Sequence, residues 1–370
     1  MKFVRNFASC RFLQNKVGTV LRSPRPYIME FSLNKLSFQS LKSYVQESSE
    51  KTVSVDYLPT EFQEPYILKG YRRNTDFLGS LHSLFWLHNE SFNCWSHILG
   101  IPMVLFFFFE EYSTSSNPLM YMYLFSCLCF VLGSSFAHTF CCYGRFSRDA
   151  YFTVDYAGLA IFTCGSGIAY VAFSFPIELF TKPGALSLSF LDTYLVFLCL
   201  CSMVSIFQSV WTRTLSPSVL RGVLRVSAFA APGVIMSSPV LFKIYTCYCG
   251  ANSYPPHYCD SAVIWPKQFS ACIISIIFYV SRFPEHLYPG KFDYFGHSHN
   301  VFHIGALLGL HYQRLALSLD LKFVKAHLIA KTSLKIPLFG FSLLIVSIFL
   351  TCVYFRHLFA AKPPCKSKPL

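Results

Sequence analysis

Charge is scarce in this chain, and acids are scarcer still. Only 13% of its 370 residues are charged, with 18 Asp and Glu set against 31 Lys and Arg. A soluble globular domain carries about 25% charge, so an ordinary water-soluble fold is excluded. No internal repeat or low-complexity stretch is present, which removes solenoid and array architectures. The first 29 residues contain Lys2, Arg5, Arg11, Lys16, Arg22 and Arg25 but no acid, and no short apolar core of a secretory signal. They match a mitochondrial presequence less well than a basic cytosolic arm. Cysteine is plentiful but does not form a disulfide framework. The count of 15 is odd, and Cys127, Cys129, Cys164, Cys199, Cys201, Cys272 and Cys352 fall in apolar stretches, where a thiol acts as a small filler. Cys247, Cys249 and Cys259 share one loop that could form a single bridge, with the pairing left open.

Apolar sequence dominates what is there: 53% of residues are hydrophobic and 18% aromatic, and the mean hydropathy is +0.43. Stretches long enough to cross a bilayer core of about 30 Å recur at 94–110, 119–138, 154–175, 190–211, 222–242, 261–281, 299–318 and 336–355. The expected fold is an all-α membrane protein. A seven-helix bundle occupies residues 94–318, after a cytosolic, partly disordered region at 1–93. Residues 319–370 follow as an outer loop, an eighth C-terminal span and a short basic tail. The fifth and sixth spans carry interruptions: Arg221 and Arg225 begin one, and Pro266 with Lys267 sits inside the other.

The net charge of +13 raises nucleic acid as a partner. Its cations lie between the spans and not on one folded face, so topology explains them better. With the N-terminus inside, the inner side collects residues 1–93, Arg145, Arg148, Arg213, Arg221, Arg225, Arg282, Lys291 and the basic tail. Lys182, Lys243, Lys267 and the stretch from Arg314 to Lys335 fall outside, and that stretch, with Lys322, Lys325 and Lys331, is the main dissent. The positive-inside rule therefore puts both termini in the cytosol. Arg221 and Arg225 read first as anchors and second as a clamp for an anionic lipid headgroup. Glu110, Glu111 and Asp192 sit at outer ends, where solvation is expected to suffice.

Given that orientation, polar residues within the spans can be sorted by depth. His138 ends span two on the inner side, and Ser134 lies one turn earlier on the same face. Asp155 begins span three. His299 and His303, again one turn apart, begin span seven. An imidazole is costly in hydrocarbon and tends to mark function there. Each histidine alone reads as a helix cap or a side chain snorkelling to the interface. As a set at one depth beside a carboxylate, His138, His299 and His303 read as three ligands of Zn²⁺, with a fourth position open to water. Asp155 then supports a ligand or the water, and Ser134 can bond the same water or a substrate carbonyl. Cys142, four residues past His138, is a minor alternative ligand; His297 reads as a loop residue and His311 as a core histidine.

Three separated segments carry a resemblance to a known family. They are GYRRNTDFLGSLHSLFWLHNESFNCWSHILG from Gly70 to Gly100, the SSFAH segment ending at His138 and followed by Asp155, and FPEHLYPGKFDYFGHSHNVFHI from Phe283 to Ile304. In this order they resemble the progestin and adipoQ receptor family over residues 64–320, and most closely its membrane progestin receptor branch. Glu90, Asn93, Trp95 and His97 stand in characteristic places of the first segment, whereas Cys94 replaces the usual β-branched residue. The resemblance implies a helical bundle of the plasma membrane with a cytosolic N-terminus. It also implies a zinc site at His138, His299 and His303, with Asp155 contacting water and Ser134 one turn before the first histidine.

Two functions follow as expectations. The first is a receptor for a progestin-like steroid or related lipid, signalling through a cytosolic partner such as a G protein. The second is a zinc-dependent hydrolase of a lipid amide such as the sphingolipid ceramide, in which Asp155 takes the proton and Ser134 stabilises the oxyanion. Reception is the primary reading, and no nucleic acid is involved.

Overall fold

The computed structural model describes residues 43–360 apart from 45, 49, 74, 75, 115, 176–187, 217, 250–256 and 328–334. The basic arm of residues 1–41 and the tail from residue 361 lie outside the described residues. A two-stranded antiparallel ribbon, β1 (Thr52–Val53) and β2 (Tyr71–Arg72), precedes the short helix α1 (Phe77–His82). The long helices are α2 (Ser91–Thr114), α3 (Pro118–Phe140), α4 (Arg145–Ala169), α5 (Leu188–Thr212), α6 (Val219–Met236), α7 (Ser238–Cys249), α8 (Trp265–Ser281), α9 (Ser298–His327) and α10 (Lys335–Ala360).

The protein is an integral multi-pass membrane protein. Among the described residues, six helices are long and apolar enough to cross a bilayer. They become seven if α6 and α7, bent by 48° at their junction, form one span. The expected seven or eight crossings are thus met by six or seven, because α9 is not among them. Its apolar run is broken by His299, His303, His311, Gln313, Arg314 and Asp320.

Local chemistry accounts for the departures from the expected spans. The bend within span five follows from Pro239, which lacks a backbone N–H and whose ring clashes with the carbonyl four residues earlier. Pro266 does not interrupt span six. It sits in the first turn of α8, where its missing N–H would have had no helical partner. Arg145 and Arg148 are not in a loop but begin α4. Asn117 caps α3, accepting hydrogen bonds from the Leu119 and Met120 amides at 2.9 and 3.3 Å.

Packing follows small residues, as expected where hydrocarbon supplies little drive for helices to associate. A Cβ placed on Gly158 would lie 2.6 Å from the Cys129 carbonyl oxygen, and one on Gly133 would lie 3.0 Å from the Val154 oxygen. The backbones of α3 and α4 therefore nearly touch, which sets Asp155 beside the last turns of α3. Gly305 does the same for α9 against α8, 2.9 Å from the Ala271 carbonyl oxygen. Between these pairs lies a core that includes Val104, Tyr123, Leu124, Val131, Leu310 and Leu317.

Of the two glutamates expected to be solvated, Glu111 is not, and Glu110 stays partly exposed but is paired. Glu111 is buried and its carboxylate accepts from the Asn117 amide at 3.1 Å, while Glu110 pairs with Arg314 at 3.0 Å. The side chain of Asp192 lies outside the described residues. The three cysteines do not share one loop: Cys247 and Cys249 lie in the last turn of α7, Cys247 is bridged to Cys259 beyond the helix, and Cys249 is free and exposed.

Candidate metal centre

His138 lies in the last turn of α3, and His299 and His303 lie in the first two turns of α9. The chain reversals between them bring these ends together. His299 Nε2 is 3.3 Å from His138 Nε2 and 3.3 Å from His303 Nε2. Ligand atoms of all three rings lie within 4.8 Å of one another, and His138 and His303 are buried. The group could hold a metal ion.

The surrounding hydrogen bonds assign the tautomers. His138 Nδ1 is 2.8 Å from Glu90 Oε2; an ionised carboxylate only accepts, so Nδ1 carries the hydrogen. His303 Nδ1 is 2.9 Å from Ser96 Oγ. That hydroxyl already gives its own hydrogen to the Asn93 carbonyl at 3.1 Å, so His303 Nδ1 is again the donor. Both rings therefore turn bare Nε2 lone pairs towards His299, and one hydrogen on His299 Nε2 can serve only one of them. A cation at the centre serves all three. The two separations from His299, each 3.3 Å, match the edge of a tetrahedron with Zn–N bonds of about 2.0–2.1 Å, which is about 3.3–3.4 Å.

A relay of amides ties the rings to the backbone. Asn93 Nδ2 donates to Glu90 Oε2 at 2.7 Å, and Asn300 Nδ2 donates to Asn93 Oδ1 at 2.8 Å. The Gly296 amide in turn donates to Asn300 Oδ1 at 2.8 Å. Burial pushes the Glu90 carboxyl up, but His138, with further help from Asn93, more than offsets it and holds the group well below the usual carboxylate range. Arg72, on β2, caps the end of α3 by donating to the His138 and Thr139 carbonyls at 2.6 and 2.8 Å. The ribbon reaches this depth through Gly70, whose φ is +84° and where a Cβ would lie 2.7 Å from the Tyr294 ring.

Ser134 and the Asp155 carboxylate are neighbours, and Asp155 is within electrostatic reach of His138. Cys142 is not in the group; it is 3.6 Å from Ser80 Oγ, against α1. His297 is not in it either, but its Nε2 is 3.0 Å from Asn300 Nδ2, which attaches it to the relay. His311 packs near Phe107, with ring centroids 6.0 Å apart. The His97 ring lies 4.2 Å from the His303 ring, tilted by 40°, without belonging to the group, and both its ring nitrogens are buried with no hydrogen-bond partner among the described residues.

Sequence reasoning missed the roles of Glu90, Ser96 and Asn300. Glu90 and Asn93 carried a usable signal, as polar residues three apart at the start of an apolar helix.

A family profile described as "Haemolysin-III related" matches residues 85–314, which contain all three histidines. Membrane progestin receptor gamma of Mus musculus is 31% identical over 72% of this chain and 80% of its own length. Membrane progestin receptor delta of Homo sapiens is 32% identical over 73% of this chain and 78% of its own. Membrane progestin receptor gamma-B of Danio rerio is 28% identical over 85% and 96%.

Proposed function

Because the chain belongs to the haemolysin-III related family, that of the progestin and adipoQ receptors, we propose that it is a membrane receptor for a progestin-like steroid or related lipid. In this reading the receptor is built around Zn²⁺ held by His138, His299 and His303. The observation that carries the zinc site is the convergence of three Nε2 atoms whose lone pairs have no shared donor. Zinc, when bound, supplies a fixed positive charge that polarises a carbonyl and acidifies water. The chain's own residues do the rest. Glu90 and Ser96 hold two rings in the coordinating tautomer, Arg72 fixes the end of α3, and Asp155 with Ser134 offers an acceptor and a donor beside His138.

The same layer couples α2, α3, α4 and α9, so a ligand that alters their packing reaches the face where a signalling partner, of the G-protein class expected from the resemblance, would dock. In this reading α9 is the seventh span, and its histidine end faces the cytosol of a plasma-membrane protein. Two observations support that orientation. Basic residues gather at the histidine end. The Cys247–Cys259 bridge, of a kind that persists in oxidising compartments, starts in the last turn of α7, four residues beyond Lys243, whose partner Asp320 is about 30 Å along α9 from His299.

A second reading, hydrolysis of a lipid amide such as ceramide, is favoured by one observation. The histidine group has three members among the described residues, whereas purely structural zinc usually has four protein ligands. Asp155 would then accept a proton from water and Ser134 would donate to the developing oxyanion.

Membranes carrying the chain are expected to bind a labelled progestin saturably, with Asp155→Asn binding as tightly as the parent. Absence of saturable binding with every steroid tested would reject reception. If purified protein instead releases sphingoid base, the Asn variant is expected to lose about 10²–10⁴ of that rate. Equal release by both proteins would remove Asp155 from the hydrolytic mechanism.

A further inference from the structure

Four arginines meet at the histidine end, where α4, α5 and α6 come together, and only two of them are neutralised. Arg148 pairs with Glu64 at 3.0 Å and Arg213 with Asp149 at 2.7 Å. Arg221 and Arg225, one turn apart at the start of α6, have no carboxylate at ion-pair distance among the described residues. Arg221 is repelled by its neighbours Arg225 and Arg213, and the more weakly felt Glu64 does not cancel that repulsion. Its Nη1 reaches only the Leu215 carbonyl, at 3.4 Å. Arg225 donates through Nε to Thr212 Oγ1 at 3.3 Å, while its Nη2 is buried with no partner among the described residues. The unpaired amides at the start of α6 add partial positive charge at the same place. Two crowded guanidinium groups and a stranded N–H donor call for an anion with several acceptor oxygens.

The same last turn of α5 points to where that anion comes from. Trp211 and Thr214, which flank Thr212 and Arg213, line a cavity of about 390 Å³ with Phe207, Tyr354, Phe355 and Leu358. Phe207, Trp211, Tyr354 and Leu358 are each more than 40% exposed, so this lining faces outward, into hydrocarbon when the helices cross a bilayer. An aromatic cavity beside unneutralised cations matches a phospholipid, with a charged phosphate and an apolar chain.

We propose that Arg221 and Arg225 hold the phosphate of an anionic glycerophospholipid and that the cavity between α5 and α10 takes one of its acyl chains. The leaflet, cytosolic, follows from the orientation proposed above; the phosphate contact does not depend on it, nor on zinc or steroid.

The test uses purified full-length protein in mixed micelles and native mass spectrometry, with phosphatidic acid and phosphatidylcholine of the same chains as probes. Phosphatidic acid is expected to bind at least about tenfold more tightly. Arg221→Gln and Arg225→Gln are each expected to weaken it roughly fivefold, and the double variant roughly thirtyfold. Arg221 is only partly buried and makes one long hydrogen bond, so its variant keeps the fold, which an unchanged melting midpoint checks. Leu358→Trp, which fills the cavity, is expected to weaken phosphatidic acid while leaving both arginines in place. Equal retention of the two lipids, or equal phosphatidic acid binding by the double variant and the parent, would overturn the site. Displacement by inorganic phosphate at equal concentration would overturn the lipid as the source of the phosphate.

Discussion

Lys243→Met is expected to destabilise the bundle by about 3–5 kcal/mol, because it leaves Asp320 as an unpaired buried charge. The Lys243 ammonium lies 2.5 Å from Asp320 Oδ1, and both side chains are only 1% exposed. Ser174 donates to the other carboxylate oxygen at 2.5 Å, but a hydroxyl cannot neutralise the charge. The ammonium also lies 4.5 Å from the centroid of the Tyr258 ring, a further contact that methionine gives up. Removing both charges is a different matter, since apolar residues of similar volume often replace a buried pair at little cost. Lys243→Met with Asp320→Leu is therefore expected to recover most of the loss. Heat survival in detergent, read by retained monodispersity, measures both. A single-variant loss below about 1 kcal/mol would mean that water reaches the pair and screens it.

Glu90→Gln is expected to lower zinc affinity about 10–100-fold while preserving the fold. The glutamine oxygen can still accept from His138 Nδ1, so the change removes charge rather than shape. With the carboxyl held well below its usual range, the parent keeps that charge at mildly acidic pH, and the difference between the two proteins persists there. Competition against a chromogenic chelator gives the affinity directly. Equal affinities would reduce Glu90 to a packing residue and leave the assigned His138 tautomer without consequence.

The histidines were legible because ionisable side chains stand out in apolar sequence, and four-residue spacing puts His299 and His303 on one helix face. Ser134 and Asp155 followed from depth once the spans were ordered. Glu90 was harder to place, because it precedes α2 and reaches His138 only after the ends of α2 and α3 converge. The Lys243–Asp320 pair was not legible. Each residue alone reads as a solvated charge near a span end, and their partnership depends on α7 and α9 meeting across a long stretch of sequence. Satisfaction of Asp320 also explains why α9 continues to His327, past the expected end at residue 318. The bend after Met236 was hidden for a different reason: Pro239 lies inside an apolar run, and hydropathy does not register a missing N–H.

Metal content tests the central claim most directly. Full-length protein purified without chelator and analysed by inductively coupled plasma mass spectrometry is expected to carry about one zinc per chain. Its X-ray absorption spectrum is expected to fit three imidazole nitrogens at about 2.0–2.1 Å and one oxygen, and His299→Ala is expected to fall below about a tenth of the parent's zinc. A folded, monodisperse parent without zinc, or a His299→Ala variant that retains as much zinc as the parent, would contradict the account.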